Sequence, residues 1–522
     1  MRLDRLWVDG LRNLRDFTID FDDGRLTTVV IGQNGSGKSN LIEAIATIFR
    51  DFDLGDAPRF QCELDYRIGN HEVKLVKRDA AWTIIVDRAA MSRAEFDRRK
   101  KELFPDQVFG YYSGASRRFE ALFDRHQKRY YDSIIGKKRK RADSSPIRER
   151  RLFYCRQIHG VLALLSFFAF PDDEVNAQLS DMLGITGFHS ALFVFREPSW
   201  FVKSQQGDKL PQEFWGAKGL PGECARKLRD VAFYPLIRNE RIVDDYRDRG
   251  TDEQQHCVFL RDGNALSEFA SAFENELDMF EALESVDISD LIRSVDVWVT
   301  RRDDVTGEVS FGDLSDGERQ LLMVLGLIRL SRGKRALFLL DEPDTHLNPA
   351  WQHRYLDLIR DWAKADADRC QLILTSHNPL TIAALEKAEV RVMHSNEEGH
   401  VTATAPYVDP RGMGFTATLT EIFGLNTTLD AETQRKVDRR NELASLTHRT
   451  DEQEIELLAV NDQLNRLGFL FEDREPLYQD FLHAWRDLLY ADRPPLGPDE
   501  LQARHAAMTQ LLRSLQQADS AS

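Results

Sequence analysis

Residues 27–49 constrain the fold of this chain more than any other stretch. An apolar run, Thr27 to Ile31, leads into Gly32-Gln33-Asn34-Gly35-Ser36-Gly37-Lys38-Ser39, and apolar positions then recur at Leu41, Ile42, Ala44, Ile45, Ile48 and Phe49. The run predicts a buried strand, and the later spacing predicts a helix. The loop between them fits G-x-x-x-x-G-K-[ST], where backbone N–H groups and a helix N-terminus receive a polyphosphate. Gly32, Gly35 and Gly37 let the backbone approach the anion with no Cβ in the way, and Asn34 lies in the same loop. In this pattern Lys38 reaches the β- and γ-phosphates and the Ser39 hydroxyl coordinates Mg²⁺.

Three later segments add to it, in order. Leu314-Ser315-Asp316-Gly317-Glu318-Arg319-Gln320 opens an apolar helix. Leu337-Phe338-Leu339-Leu340-Asp341-Glu342 is an apolar strand ending in adjacent carboxylates. Asp341 suits the Mg²⁺ shell, and Glu342 suits polarising an attacking water, because phosphoryl transfer needs a positioned base more than covalent chemistry. Gln371 to Ser376 reads as another strand, with His377 at its end within reach of a γ-phosphate. Together these segments resemble the ATP-binding-cassette class of ATPase heads. The resemblance implies ATP with Mg²⁺ and a head-to-head dimer, in which Ser315 and Gly317 of one chain complete the site built on Lys38 of the other. Asp316 stands where many transporters carry a second glycine.

The N-terminus narrows the branch. Arg2–Trp7, Gly10–Leu14 and Phe17–Phe21 read as short strands with a loop between them, and the phosphate loop follows at once. This start resembles RecF, RecN and SMC heads, as does Asn40 directly after Ser39. In that branch the residues matching Arg12 and Asn13 lie near the nucleotide, although such a pair is also an ordinary solvated turn. The span from Ser39 to Leu314 exceeds what a compact transporter ATPase domain needs, and it carries no sustained heptad repeat of an SMC coiled coil. No run reaches the ~18 apolar residues of a membrane helix, and 161–170 has only the length of a buried one.

The expected layout is an α/β, RecF/SMC-like ATPase head, its P-loop sheet flanked by an antiparallel β-subdomain, with a helical insert and a helical C-terminal tail. The divisions fall at 1–115 for the first lobe, 116–290 for the insert, 291–405 for the second lobe and 406–522 for the tail. Cys62–Ile68, Glu72–Val76 and Trp82–Val86 supply the β-subdomain. Val108–Tyr112 resembles the strand that usually ends in the glutamine of the Q-loop, yet Gln107 lies at its wrong end, which leaves the second Mg²⁺ contact unassigned. Thr345-His346-Leu347-Asn348 takes the place of the family's D-loop, with Asn348 where an aspartate is usual. Leu443, Leu446, Leu457, Leu458, Leu464 and Leu467 suggest a helical pair in the tail.

Composition excludes some classes. A net charge of −16 over 522 residues argues against a protein that coats DNA generally. One basic run, Lys137-Lys138-Arg139-Lys140-Arg141, either grips nucleic-acid phosphates in a salt-sensitive contact or is a solvated loop. Trp200, Phe214 and Trp215 fit a local core better than a stacking platform. Five singly scattered cysteines and the lack of an apolar leader fit a reducing cytoplasm. No pattern of a TOPRIM or HNH nuclease, zinc site or catalytic Cys/His set is present. The layout resembles the stand-alone ATPases of bacterial anti-phage systems such as Septu, which implies an effector in trans such as an HNH nuclease. A RecF-like DNA-repair ATPase and a slow-turnover, ATP-locked scaffold are the alternatives.

Overall fold

The structure, a computed structural model, describes residues 1–467 apart from 136–149, 202–212 and positions 23, 80, 244, 246, 248, 249, 305, 365, 366, 397, 426 and 447. Lys137–Arg141 therefore lies outside the described residues, as does the tail beyond 467. Two compact units divide after Asn426.

The first unit is built on a seven-stranded sheet in the order β18 (Val401–Thr404), β17 (Val390–Ser395), β3 (Thr27–Gly32), β16 (Gln371–Thr375), β15 (Ala336–Asp341), β8 (Gln107–Tyr112) and β9 (Leu152–Tyr154). Its neighbours run parallel except β18, which closes a hairpin with β17. Strands β3, β15 and β16 are buried at every position. This explains why they read as unbroken apolar runs: a parallel strand covered on both faces has no polar side to alternate.

A six-stranded antiparallel sheet stands beside it, in the order β2 (Phe17–Asp20), β1 (Arg2–Asp9), β4 (Gln61–Ile68), β5 (His71–Lys77), β6 (Thr83–Val86) and β7 (Ala89–Met91). Here burial alternates, as in β4, because one face meets solvent. The helix Lys38–Leu54 fills the space between, its Ile45, Ile48, Phe49 and Phe52 sharing a core with Leu6 and Tyr66 on one side and Leu339 and Ile373 on the other.

The third sheet changes the expectation for 116–290. That stretch holds helices, Gln157–Ala169 among them, but it also supplies three strands of an antiparallel sheet ordered β11 (Leu236–Ile242), β12 (Thr251–Leu260), β10 (Ile185–Arg196), β13 (Ile292–Arg301) and β14 (Val309–Ser310). The insert is mixed, not purely helical. β11 is polar at alternating and adjacent positions alike and exposed along its length, so it carries no period-2 signal. Helix Gln157–Ala169, the apolar stretch of buried length, packs on Asp316–Leu330. A Cβ on Gly326 would stand 2.7 Å from that of Ala163, so glycine permits the close crossing. Phe214 and Trp215 are core residues against His256.

Within the second unit, helices Ala431–Ser445 and Asp451–Arg466 pair, with Arg439 doubly bonded to Glu456 at 2.8 Å. Leu443, Leu457 and Leu464 are buried, whereas Leu446, Leu458 and Leu467 face solvent. Among the described residues no helix is long and apolar enough to cross a membrane.

Candidate nucleotide site

Sheet register assembles the site. Asp341 at the end of β15 pairs with Thr375 at the end of β16, and Thr375 pairs with Val30 near the end of β3. The phosphate loop, the two carboxylates and Ser376-His377 thus emerge side by side at the carboxyl edge of three adjacent strands, where open α/β sheets bind ligands. Asn34, Gly35, residues 37–40, Tyr112, Arg118, Asp341 and Glu342 are among those lining a cleft of about 280 Å³ there.

The loop is held open by its glycines. Gly35 and Gly37 have φ of 85° and 97°, and Gly37 is the N-cap of Lys38–Leu54. A Cβ on Gly32 would fall 2.4 Å from the Met393 carbonyl oxygen. Lys38 Nζ donates to the carbonyls of Gly32 (2.8 Å) and Gln33 (3.3 Å), folded back over the loop. Burial lowers its pKa from the usual lysine value, against the pull of Glu342 and Asp341.

Asp341 is buried and accepts from the hydroxyls of Thr375 (2.5 Å) and Ser39. Burial raises its pKa despite these bonds. Mg²⁺ takes hard oxygen ligands, typically one or two protein carboxylates with phosphates and water completing the shell. The adjoining Ser39 hydroxyl and Asp341 carboxyl fit that donor set, and a cation beside this buried carboxylate would offset its desolvation. Bound there, Mg²⁺ supplies neutralisation of charge on the phosphate oxygens.

Glu342 has φ 53°, left-handed for a residue with a side chain, and its N–H meets the Thr375 carbonyl and hydroxyl oxygens at 3.2 and 3.1 Å. Its Oε1 lies 3.3 Å from His377 Nδ1. Behind them, buried Asp344 accepts from Ser376 (2.6 Å) and from Thr381, tying the β16 end to the segment after Glu342.

Arg12 and Asn13 lie at the loop, but they bind protein groups there. Arg12 grips Glu43 through both terminal nitrogens (2.7 and 3.0 Å) and reaches Asn40 at 2.9 Å. Asn13 donates to the Gly35 carbonyl at 3.1 Å and accepts from Asn40 at 2.6 Å. Arg118, which no motif marked, joins the same Asn40 (3.1 Å) and Glu43 (3.1 Å). The spacing of Asn40 and Glu43, one helical turn, was the one available signal for this cluster.

Ser315 and Gly317 do not line the cleft of their own chain. Ser315 caps the helix Asp316–Leu330, exchanging bonds with Glu318, and Asp316 pairs with Arg319 at 2.6 Å. Gly317 is buried, and a Cβ there would meet the His346 carbonyl oxygen at 2.5 Å, so the signature helix rests on the backbone of Thr345–Asn348. Asn348 caps the next helix by accepting from Trp351 N–H at 2.9 Å. Gln107 pairs with Ala336 at the opposite end of the sheet from Asp341, while Tyr112 stands beside Asp341.

Two family models match the chain. "AAA ATPase domain" covers residues 1–109, and "AAA domain, putative AbiEii toxin, Type IV TA system" covers 233–383. Septu protein PtuA of Bacillus mycoides (strain KBAB4) is 28% identical over 189 residues, 33% of this chain and 26% of that protein. The DNA replication and repair protein RecF of Psychromonas ingrahamii is 39% identical over 74 residues, 14% of this chain and 18% of that protein. The chain thus matches only about a quarter or less of the length of these relatives. An SMC head bound to the C-winged helix domain of ScpA aligns over 77% of this chain and 98% of its own, at 13% identity and a TM-score of 0.33, a likeness too low to carry weight. Motif order, the family models and the RecF and PtuA matches agree on an ABC-type ATPase head similar to those of RecF-like proteins.

Proposed function

We propose that the chain binds ATP with Mg²⁺ and hydrolyses it in a site completed by a second copy, and that turnover controls a partner nuclease in anti-phage defence. The meeting of the phosphate loop, Asp341, Glu342 and His377 at one sheet edge is the observation that carries the hydrolytic part. The loop amides and Lys38 hold the β- and γ-phosphates, Lys38 turning from its two carbonyl partners. Glu342 accepts a proton from the water attacking the γ-phosphorus, the bond to the bridging oxygen breaks, and ADP and phosphate leave. His377 orients Glu342. Ser315 and Gly317 do not line their own cleft, and by the resemblance to cassette heads they meet the γ-phosphate held by a second chain.

The defence part is supported by the PtuA match and the RecF-like repair reading by the shorter RecF match. Purified chain with Mg-ATP should release phosphate catalytically, and Lys38→Ala should not. Cells carrying the gene and its neighbours should resist phage, and Glu342→Gln should remove that resistance. Unchanged phage sensitivity together with a DNA-repair defect on deletion would favour the second reading.

A further inference from the structure

Strand β11 closes one side of the third sheet and pairs with β12 alone, so its outer edge meets no strand among the described residues. It is exposed over nearly its whole length, and large apolar residues cluster on and beside it: Phe233, Tyr234, Leu236, Ile237 and Val243 are 65, 72, 46, 60 and 55% exposed. An open edge strand flanked by exposed apolar residues is a template for another strand, and proteins normally cover, charge or shorten it. This one runs for seven residues with no proline inside it.

One face of the strand Leu236-Ile237-Arg238-Asn239-Glu240-Arg241-Ile242, that of residues 236, 238, 240 and 242, is complementary to its own reverse. Set antiparallel to a copy about Asn239, the strand places Arg238 opposite Glu240 at two symmetric positions and Leu236 opposite Ile242 at two more, with Asn239 opposite itself and Ile237 opposite Arg241 on the other face. Because side chains alternate, Leu236, Arg238, Glu240 and Ile242 share one face, and Arg238 already lies 3.7 Å from Glu240 of its own strand. A second copy would therefore complete a quartet of alternating charge flanked by two apolar pairs. Cross-strand pairs of both kinds stabilise a sheet. We propose that β11 pairs with β11 of a second copy, joining two five-stranded sheets across a two-fold axis. Such an isologous contact is self-complementary by symmetry and closes on itself. It goes beyond the ATP-dependent head contact, needs no nucleotide, and would let chains joined through their heads assemble further.

The test uses the full chain without nucleotide, where the head contact is absent, and reads the dimer by sedimentation velocity across a concentration series. Wild type should dimerise. Glu240→Arg and Arg238→Glu should each set like charges opposite at both symmetric positions and weaken the dimer about tenfold or more. Mixed together, the two variants should recover a heterodimer, because every 238–240 pair across the interface is again opposite in charge; neither misfolding nor loss of ATP binding can produce that recovery. Lys38→Ala should leave this dimer intact. A monomeric wild type, a dimer indifferent to both reversals, or no recovery on mixing overturns the proposal.

Discussion

The imidazole Nδ1 of His377 stands 3.3 Å from the carboxylate Oε1 of Glu342, one group from the end of β16 and the other from the end of β15. The left-handed backbone of Glu342 is an uncommon conformation, and the surrounding bonds to Thr375 hold it. Glu342→Gln keeps the shape and removes the base. It should retain ATP and slow turnover by roughly two to four decades. His377→Ala should also retain ATP and slow turnover less, since Glu342 is still present. Nucleotide-binding and single-turnover measurements separate these effects. Near wild-type turnover by Glu342→Gln would place the base elsewhere, with His377 the next candidate.

The buried Asp341 carboxyl faces an unfavourable environment for its charge in the ligand-free chain. Burial raises its folded pKa, so its ionised form is disfavoured in the folded, ligand-free chain. That contribution is harmless below the usual carboxylate range and destabilising as pH rises through it toward the raised value. Asp341→Asn should therefore raise the Tm of the nucleotide-free chain at neutral pH while abolishing Mg²⁺-dependent turnover. A lowered Tm would show instead that the carboxylate is net stabilising in the absence of ligand.

Glu284 shows the opposite balance. It is wholly buried, which pushes its pKa up, but Arg150 and His159 outweigh burial and bring it down to about 2. Glu284→Gln leaves the buried Arg150 without a counter-charge and should cost about 3–5 kcal/mol at neutral pH. A depressed pKa gives stability that is present above the ordinary glutamate value and lost as pH falls through it toward about 2. Urea midpoints of wild type and variant should therefore converge on acidification. A constant difference would contradict the ion pair as its source.

Lys137, Lys138, Arg139, Lys140 and Arg141 test the charge pattern alone. Their replacement by Ser should weaken any DNA or RNA binding and flatten its dependence on log salt, by roughly 0.9 in slope for each phosphate no longer neutralised. Unchanged binding across a salt series would mark the run as a solvated loop.

The placement of the candidate site residues was legible because they sit at the ends of fully buried strands. An unbroken apolar run ending in Asp341-Glu342 or Thr375-Ser376-His377 leaves little choice of structure. The antiparallel β4–β6 segments were legible for another reason, the turn residues between alternating runs. β11 was not, since an edge strand exposed on both faces looks like polar coil and gains its form from the strand beside it. Nor could sequence show that Arg118 meets Arg12 on Glu43, because that contact depends on how the chain turns after β8. The tail leucines marked a helical pair, but spacing could not tell the buried Leu457 from the exposed Leu458 beside it.

Two chains sharing one active site is the claim on which the mechanism rests, and mixing two inactive variants tests it most directly. Lys38→Ala removes the phosphate-binding ammonium, and Ser315→Arg blocks the signature loop, so each alone should be inactive. In a heterodimer one composite site combines both lesions and the other has neither. Phosphate release by an equal mixture should therefore recover to about a quarter of wild type, as random pairing in a two-fold dimer requires. A mixture as inactive as its components, or a Ser315→Arg chain that turns over ATP at the wild-type rate, would contradict the shared site.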